Sequence, residues 1–191
     1  MWSAGLLAAR LVLGGVFLLS GVGKLSSQAL LPDEIMDYQL LSRRHAQQVA
    51  PLLPAVELTL AILCITGIGL PVAASLIFFL LLAFSAAILI NLRRGRRFNC
   101  HCFGTSKALI GPAAVVRNIM LMAVAVFLAG ESLSLLSPIA TVMQWQTDMY
   151  QLVHLNTLAP LVATVLLSFS ILLLLNQMDV VLAPVSRKGE S

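Results

Sequence analysis

Long apolar stretches broken by short polar ones set the pattern of this chain. Five stretches reach the roughly 20 mostly apolar residues that cross a bilayer as a helix. They are residues 4–25, 52–70, 71–92, 112–129 and 158–175. Only residues 67–71 separate the second from the third, which predicts a tight hairpin. The first stretch has no charged leading region and no small-residue cleavage pattern after Leu25. It therefore reads as a retained helix and not as a secretory signal.

Two connections predict helices lying along the membrane surface. In residues 32–49, Pro32 suits a first helical position, Asp33 and Glu34 a first turn, and Arg43 and Arg44 a last turn. In residues 138–153, Ile139, Val142, Met143, Met149, Leu152 and Val153 recur at helical spacing, and Trp145 and Tyr150 are interface-seeking aromatics. His45 and His154 fall on these two helices and are expected to be solvated.

Composition agrees with lipid as the main solvent. Residues of the AVILMFWYC set make up 59% of the 191, and charged residues only 10%. An ordinary soluble domain carries about 25% charged residues. The mean hydropathy is +0.96. A soluble enzyme, a disordered chain and a small secreted disulfide scaffold are all excluded. The net charge of +4 does not point to nucleic acid, because the basic residues cluster at the ends of the apolar stretches. With five spans, all of the 12 Lys and Arg residues except Arg10 fall on the side opposite the N-terminus. The positive-inside rule then predicts a multi-pass protein of the bacterial cytoplasmic (inner) membrane, N-terminus out and C-terminus in.

Ionisable residues inside spans are functional candidates by default. Glu57 lies about 9 Å inside the second span by helix rise, and Lys24 ends the first. These spans run antiparallel, so the two can pair across the helices, the alternative being that each snorkels separately to the interface. Arg10 lies about 9 Å inside the opposite face and is expected to snorkel outward. Ser20, Gly14 and Gly21 read as small residues that let helices approach closely.

Of the three cysteines, Cys64 in the middle of a span reads as a small buried hydrophobe. Cys100 and Cys102 differ. They follow Arg93, Arg94, Arg96 and Arg97 in the run FNCHCFG, with His101 between them. A C-x-C pair closes only a tight, strained ring, and strain makes a disulfide easier to reduce. Nearby cationic groups favour the reactive thiolate. Two other readings stand beside a redox pair. One is a metal site using Cys100, His101 and Cys102, although structural zinc wants four ligands at wider spacing, so no metal is expected. The other is a pair of inert thiols.

The run RLVLGGVFLLSGVGKL (10–25) resembles the first helix of DoxX-like membrane proteins. The motifs YQLL (38–41), LPAVEL (53–58) and CHCFG (100–104), in that order, resemble the MauE branch, named for methylamine utilisation. The resemblance covers about residues 4–130. It implies an all-α integral membrane protein with a DoxX-like four-helix bundle, to which a fifth transmembrane helix and the two interfacial helices are added. Residues 1–130 form the family-like domain. Residues 131–191 supply an interfacial helix, the fifth span and a short polar tail. The resemblance also implies a thiol–disulfide oxidoreductase or accessory with Cys100, His101 and Cys102 at its site. It would work with a thioredoxin-like partner on an exported, disulfide-containing client. The Cys100–Cys102 disulfide would be its only redox centre, with no bound cofactor.

Two readings from other classes remain. One is a non-catalytic membrane scaffold, and the other a small-molecule or quinone-binding subunit, although the spans carry no dedicated quinone motif. The charge count also sets a tension. It puts Cys100 and Cys102 on the cytoplasmic face, whereas disulfide formation in bacteria belongs outside. A different span count, a loop dipping into the bundle, or electron transfer across the membrane would each account for it.

Overall fold

The computed structural model describes residues 2–95, 99–100, 108–109, 112–132, 162–168, 170–171 and 174. Among these residues, five helices and one short pair of strands follow in order up to residue 132. They are α1 (Trp2–Ser26), α2 (Leu31–Asp37), α3 (Arg43–Thr66), α4 (Leu70–Arg93), β1 (Asn99–Cys100), β2 (Ala108–Leu109) and α5 (Pro112–Ser132). Among the described residues, four helical segments are long and apolar enough to cross a membrane: Gly5–Ser26, Arg43–Thr66, Leu70–Arg93 and Pro112–Gly130. Residues 162–168 are helical, but most of the expected fifth span beyond them, and all of the expected surface helix at 138–153, lie outside the described residues.

Helices α1 and α3 pack along one another, as do α4 and α5, and α2 lies over α3. Small residues permit the first of these contacts. A Cβ on Gly14 would stand 2.5 Å from Ile65 Cγ1, and one on Gly21 would stand 2.8 Å from Leu58 Cγ. The core between the helices is built from Leu13, Val16, Phe17, Ala61, Ala73, Ala74, Ile77, Leu81, Leu121, Ala125 and Leu128. Large apolar side chains also point outward, Phe79 at 63% exposure and Leu52 at 61% among them. A bundle apolar on both its inner and outer surfaces is what a lipid solvent selects. The chain is thus a multi-pass membrane protein.

The hairpin between α3 and α4 turns on Gly67 (φ 79°) and Gly69 (φ 59°), left-handed positions that glycine fills without strain. Gly67 N–H closes the end of α3 on Leu63 O at 2.8 Å, and Pro71 suits the first turn of α4.

The surface helix expected over 32–49 is not continuous. Helix α2 stops at Asp37, the chain turns through Gln39 with φ 50°, and α3 starts afresh at Arg43 after an extended Ser42. Arg43 and Arg44 therefore open the second spanning helix instead of closing a surface helix. That span begins nine residues ahead of the expected Leu52. Its early prolines, Pro51 and Pro54, are carried inside the helix. His45 is exposed, as expected, and its Nδ1 lies 2.7 Å from Ser42 Oγ.

Candidate functional site

The ends of α1 and α4 and the starts of α3 and α5 meet at one end of the bundle, and buried polar side chains gather there. Ser20 and Lys24 stand four residues apart on one face of α1. Glu57 faces them from α3, Ser85 comes from α4, and Arg117 and Asn118 come from α5. All six are buried.

Lys24 and Glu57 form an ion pair, Nζ to Oε1 at 2.5 Å. The Lys24 ammonium also donates to Ser20 Oγ at 2.8 Å, and Ser20 Oγ donates to Glu57 Oε2 at 3.2 Å. A three-membered network thus holds both carboxylate oxygens. The Phe84 ring lies under the ammonium, 5.4 Å from Nζ to its centroid, an added attraction for a desolvated cation. Across the bundle Asn118 Nδ2 donates to Ser85 Oγ at 3.3 Å, and Ser85 Oγ donates to Leu81 O at 2.7 Å.

Between these groups lies a cavity of about 30 Å³. Its polar wall is Ser20, Lys24, Glu57, Arg117 and Asn118, and its apolar wall is Val16, Phe17, Leu81, Phe84 and Leu121. One water needs about 10–15 Å³ and two to four polar partners. The cavity meets both conditions.

Helix α2 and its C-cap close this end. Tyr38 packs with Ile88, Leu92, Ala114 and Val115, and Asn91 Nδ2 donates to Tyr38 O at 3.1 Å. Burial, with the charge of Glu34 second, pushes the Tyr38 phenol up from its ordinary value near 10 to about 12.

The segment joining α4 to α5 leaves from this same end. Its backbone pairs antiparallel, Asn99 with Leu109 and Cys100 with Ala108. Cys100 thus closes β1, between Arg94 and the start of α5. His101 and Cys102 lie outside the described residues. Among the described residues, no three His, Cys, Asp or Glu side chains gather as a metal site.

Arg10 lies at the opposite end and does not snorkel. It is 3% exposed and turns inward to the end of α3. Its Nε donates to Cys64 O at 3.3 Å and an Nη to Ile65 O at 2.9 Å. The last carbonyls of a helix lack partners and carry partial negative charge, so a buried guanidinium there is better satisfied than one dragged to the interface. A Cβ on Gly67 would collide with this guanidinium. Cys64 is fully buried, its thiol 3.7 Å from Arg10 O.

Residues 3–130 match the family model described as methylamine utilisation protein MauE. The chain belongs to the MauE family. A relative in Paracoccus denitrificans, a methylamine utilization protein MauE, is 32% identical over 125 residues, covering 64% of this chain and 67% of the relative. No solved structure matches the chain. The MauE match spans α1 to α5 and so includes the whole polar cluster and the cysteine loop.

Sequence reasoning names Lys24, Glu57 and Arg10 but passes over five members of this end. Arg117 counts there only toward orientation, and Ser20 only toward packing. Ser85, Asn91 and Asn118 are not singled out. The available signal was positional: Arg117 and Asn118 fall more than a turn inside an apolar helix, and Ser20 lies one helical turn from Lys24.

Proposed function

We propose that this MauE-family protein serves methylamine utilisation as a membrane thiol–disulfide oxidoreductase, or an accessory to one. Its cysteine loop would exchange disulfides with a thioredoxin-like partner during maturation of an exported, disulfide-containing client. The observation that carries this reading is the backbone pairing at Cys100. It holds the Cys100 backbone in a short ladder that follows Arg93 and Arg94, which stand exposed at the end of α4. Cationic surroundings favour thiolate, the attacking form. In the exchange, a thiolate at Cys100 or Cys102 attacks a partner disulfide and expels one partner thiolate. The other cysteine of the pair then displaces the second partner thiolate. The loop leaves as a disulfide and the partner as a dithiol, so electrons and atoms balance.

The reading includes a DoxX-like bundle, a fifth span within residues 158–175, and placement in the inner membrane with the Lys24 end in the cytoplasm. The charge bias supports that placement. The double variant Cys100→Ser, Cys102→Ser tests the function. It is expected to insert normally, because the apolar spans are untouched, and to abolish client disulfide formation. Normal client maturation by the double variant would overturn the reading.

A further inference from the structure

The outer rim of the Lys24 end carries charge that the described bundle does not neutralise. We propose that this rim binds an anionic phospholipid, its phosphate held by Arg43, Arg44, Arg93 and Arg94 and its acyl chains lying on the exposed leucines beside them. The inference is independent of the cysteine reading.

Two arginine pairs flank one buried joint. Asn91, in the last turn of α4, donates from Nδ2 to Tyr38 O at 3.1 Å, which ties the turn between α2 and α3 to the end of α4. Arg93 and Arg94 follow Asn91 within one helical turn, and Arg43 and Arg44 open α3 just after Tyr38. All four arginines are exposed, and among the described residues none of them forms an ion pair. The exposed carboxylates of α2 are Asp33 and Asp37, whereas Glu34 is half-buried within electrostatic reach of Lys24. Four guanidinium groups against two carboxylates leave the described rim cationic. The stability of α3 does not call for Arg43 and Arg44, because a cation in the first turn of a helix is opposed by its dipole. An anion outside the bundle removes that conflict.

The apolar side chains around the rim select the kind of anion. Leu40 and Leu41 are exposed in the turn itself. On α4, Leu89 and Ile90 are exposed one helical turn before Arg93 and Arg94, and so share their faces. On α3, Leu52 is exposed two turns beyond Arg44. The cations thus stand at the edge of outward apolar strips, which is the order of a phosphate above its acyl chains. A soluble anion gains nothing from the leucines, and a zwitterionic lipid offsets its phosphate with its own amine. Guanidinium holds phosphate through two parallel N–H bonds and keeps its charge at physiological pH. Basic groups gathered at the ends of spanning helices bind anionic headgroups in this way. Topology needs only positive charge at this end. A lipid site needs the apolar strips as well.

Native mass spectrometry of the full chain, released from nanodiscs of phosphatidylcholine and phosphatidylglycerol in equal amounts, tests this by the lipids retained. The unsubstituted protein should retain phosphatidylglycerol in preference. Arg43→Gln with Arg44→Gln should cut that preference about tenfold, and so should Arg93→Gln with Arg94→Gln, on the scale of basic residues near an anionic surface. Leu40→Gln with Leu41→Gln leaves the charge unchanged and should also lower the phosphatidylglycerol retained. These side chains are all exposed, so the variants should keep the helical content of the unsubstituted protein. Glycerol phosphate, a phosphate without acyl chains, should not displace the lipid. Cys100→Ser, Cys102→Ser should keep the preference, which separates this outcome from that of the disulfide reading. Equal retention of the two lipids would overturn the proposal, as would a preference unchanged in either arginine variant. A preference indifferent to the leucine variant, or abolished by glycerol phosphate, would reduce the rim to general charge attraction and overturn the site as well.

Discussion

The two ends of α1 each bury a basic residue against α3, about 21 Å apart by helix rise, and they do it differently. Arg10 meets main-chain carbonyls of Cys64 and Ile65 at the close of α3. Those acceptors cannot titrate, and Gly67 lies so close that a methyl group would not fit. Lys24 meets a carboxylate and a hydroxyl beside a cavity, with a second cation on the far wall. The first arrangement is a clamp that fixes where a helix stops. The second keeps an ion pair beside a small cavity, at a depth where buried charge is costly. A buried cation alone therefore says little about function. What it is paired with, and the space left around the pair, separate a structural site from a chemical one.

The largest effect is expected at the Lys24 end. Glu57→Gln leaves a buried ammonium without its counter-charge, a loss of about 3–5 kcal/mol by analogy with broken buried pairs. Thermal unfolding in detergent should show it, and adding Lys24→Met should recover part of the loss. A double variant no more stable than Glu57→Gln alone would mean that the two ends do not differ as described.

At the Arg10 end, Arg10→Met should cost about 1–3 kcal/mol, the penalty for stranding buried carbonyls. Removing an acidic residue should not relieve it. Gly67→Ala should cost a similar amount, because it strains a left-handed position and pushes into the guanidinium.

A smaller effect is confined to alkaline pH. The Tyr38 value is raised on folding, so its contribution is complete below about 10 and is lost as pH rises through about 12. Tyr38→Phe should flatten this alkaline loss of thermal stability. An unchanged profile would detach Tyr38 from the closure of the Lys24 end.

Much of this contrast can be read from the sequence, for a physical reason. Antiparallel neighbouring spans put Lys24 and Glu57 at compatible depth, and intramembrane charges stand out against an apolar background. Gly67–Gly69 announces the α3–α4 hairpin because only glycine accepts that backbone cheaply. The break after α2 has no such marker. The positive φ falls on Gln39, so the turn between α2 and α3 is invisible to residue type. Arg117 carries the same formal charge as an interfacial arginine, and only the packing of α5 against α4 shows that it faces the cavity. Arg10 misleads for the opposite reason. Snorkelling is the usual escape for a lone cation, but the partner that holds it is a helix end more than 50 residues away.

The most direct test of the functional account is the oxidation state of Cys100 and Cys102 in membranes, read by alkylation before and after reduction. The account predicts a pair found in both dithiol and disulfide forms, with one of the two single Cys→Ser variants capturing a thioredoxin-like protein in a mixed disulfide. Two thiols that are always free to alkylate, with no captured partner in either variant, would contradict it.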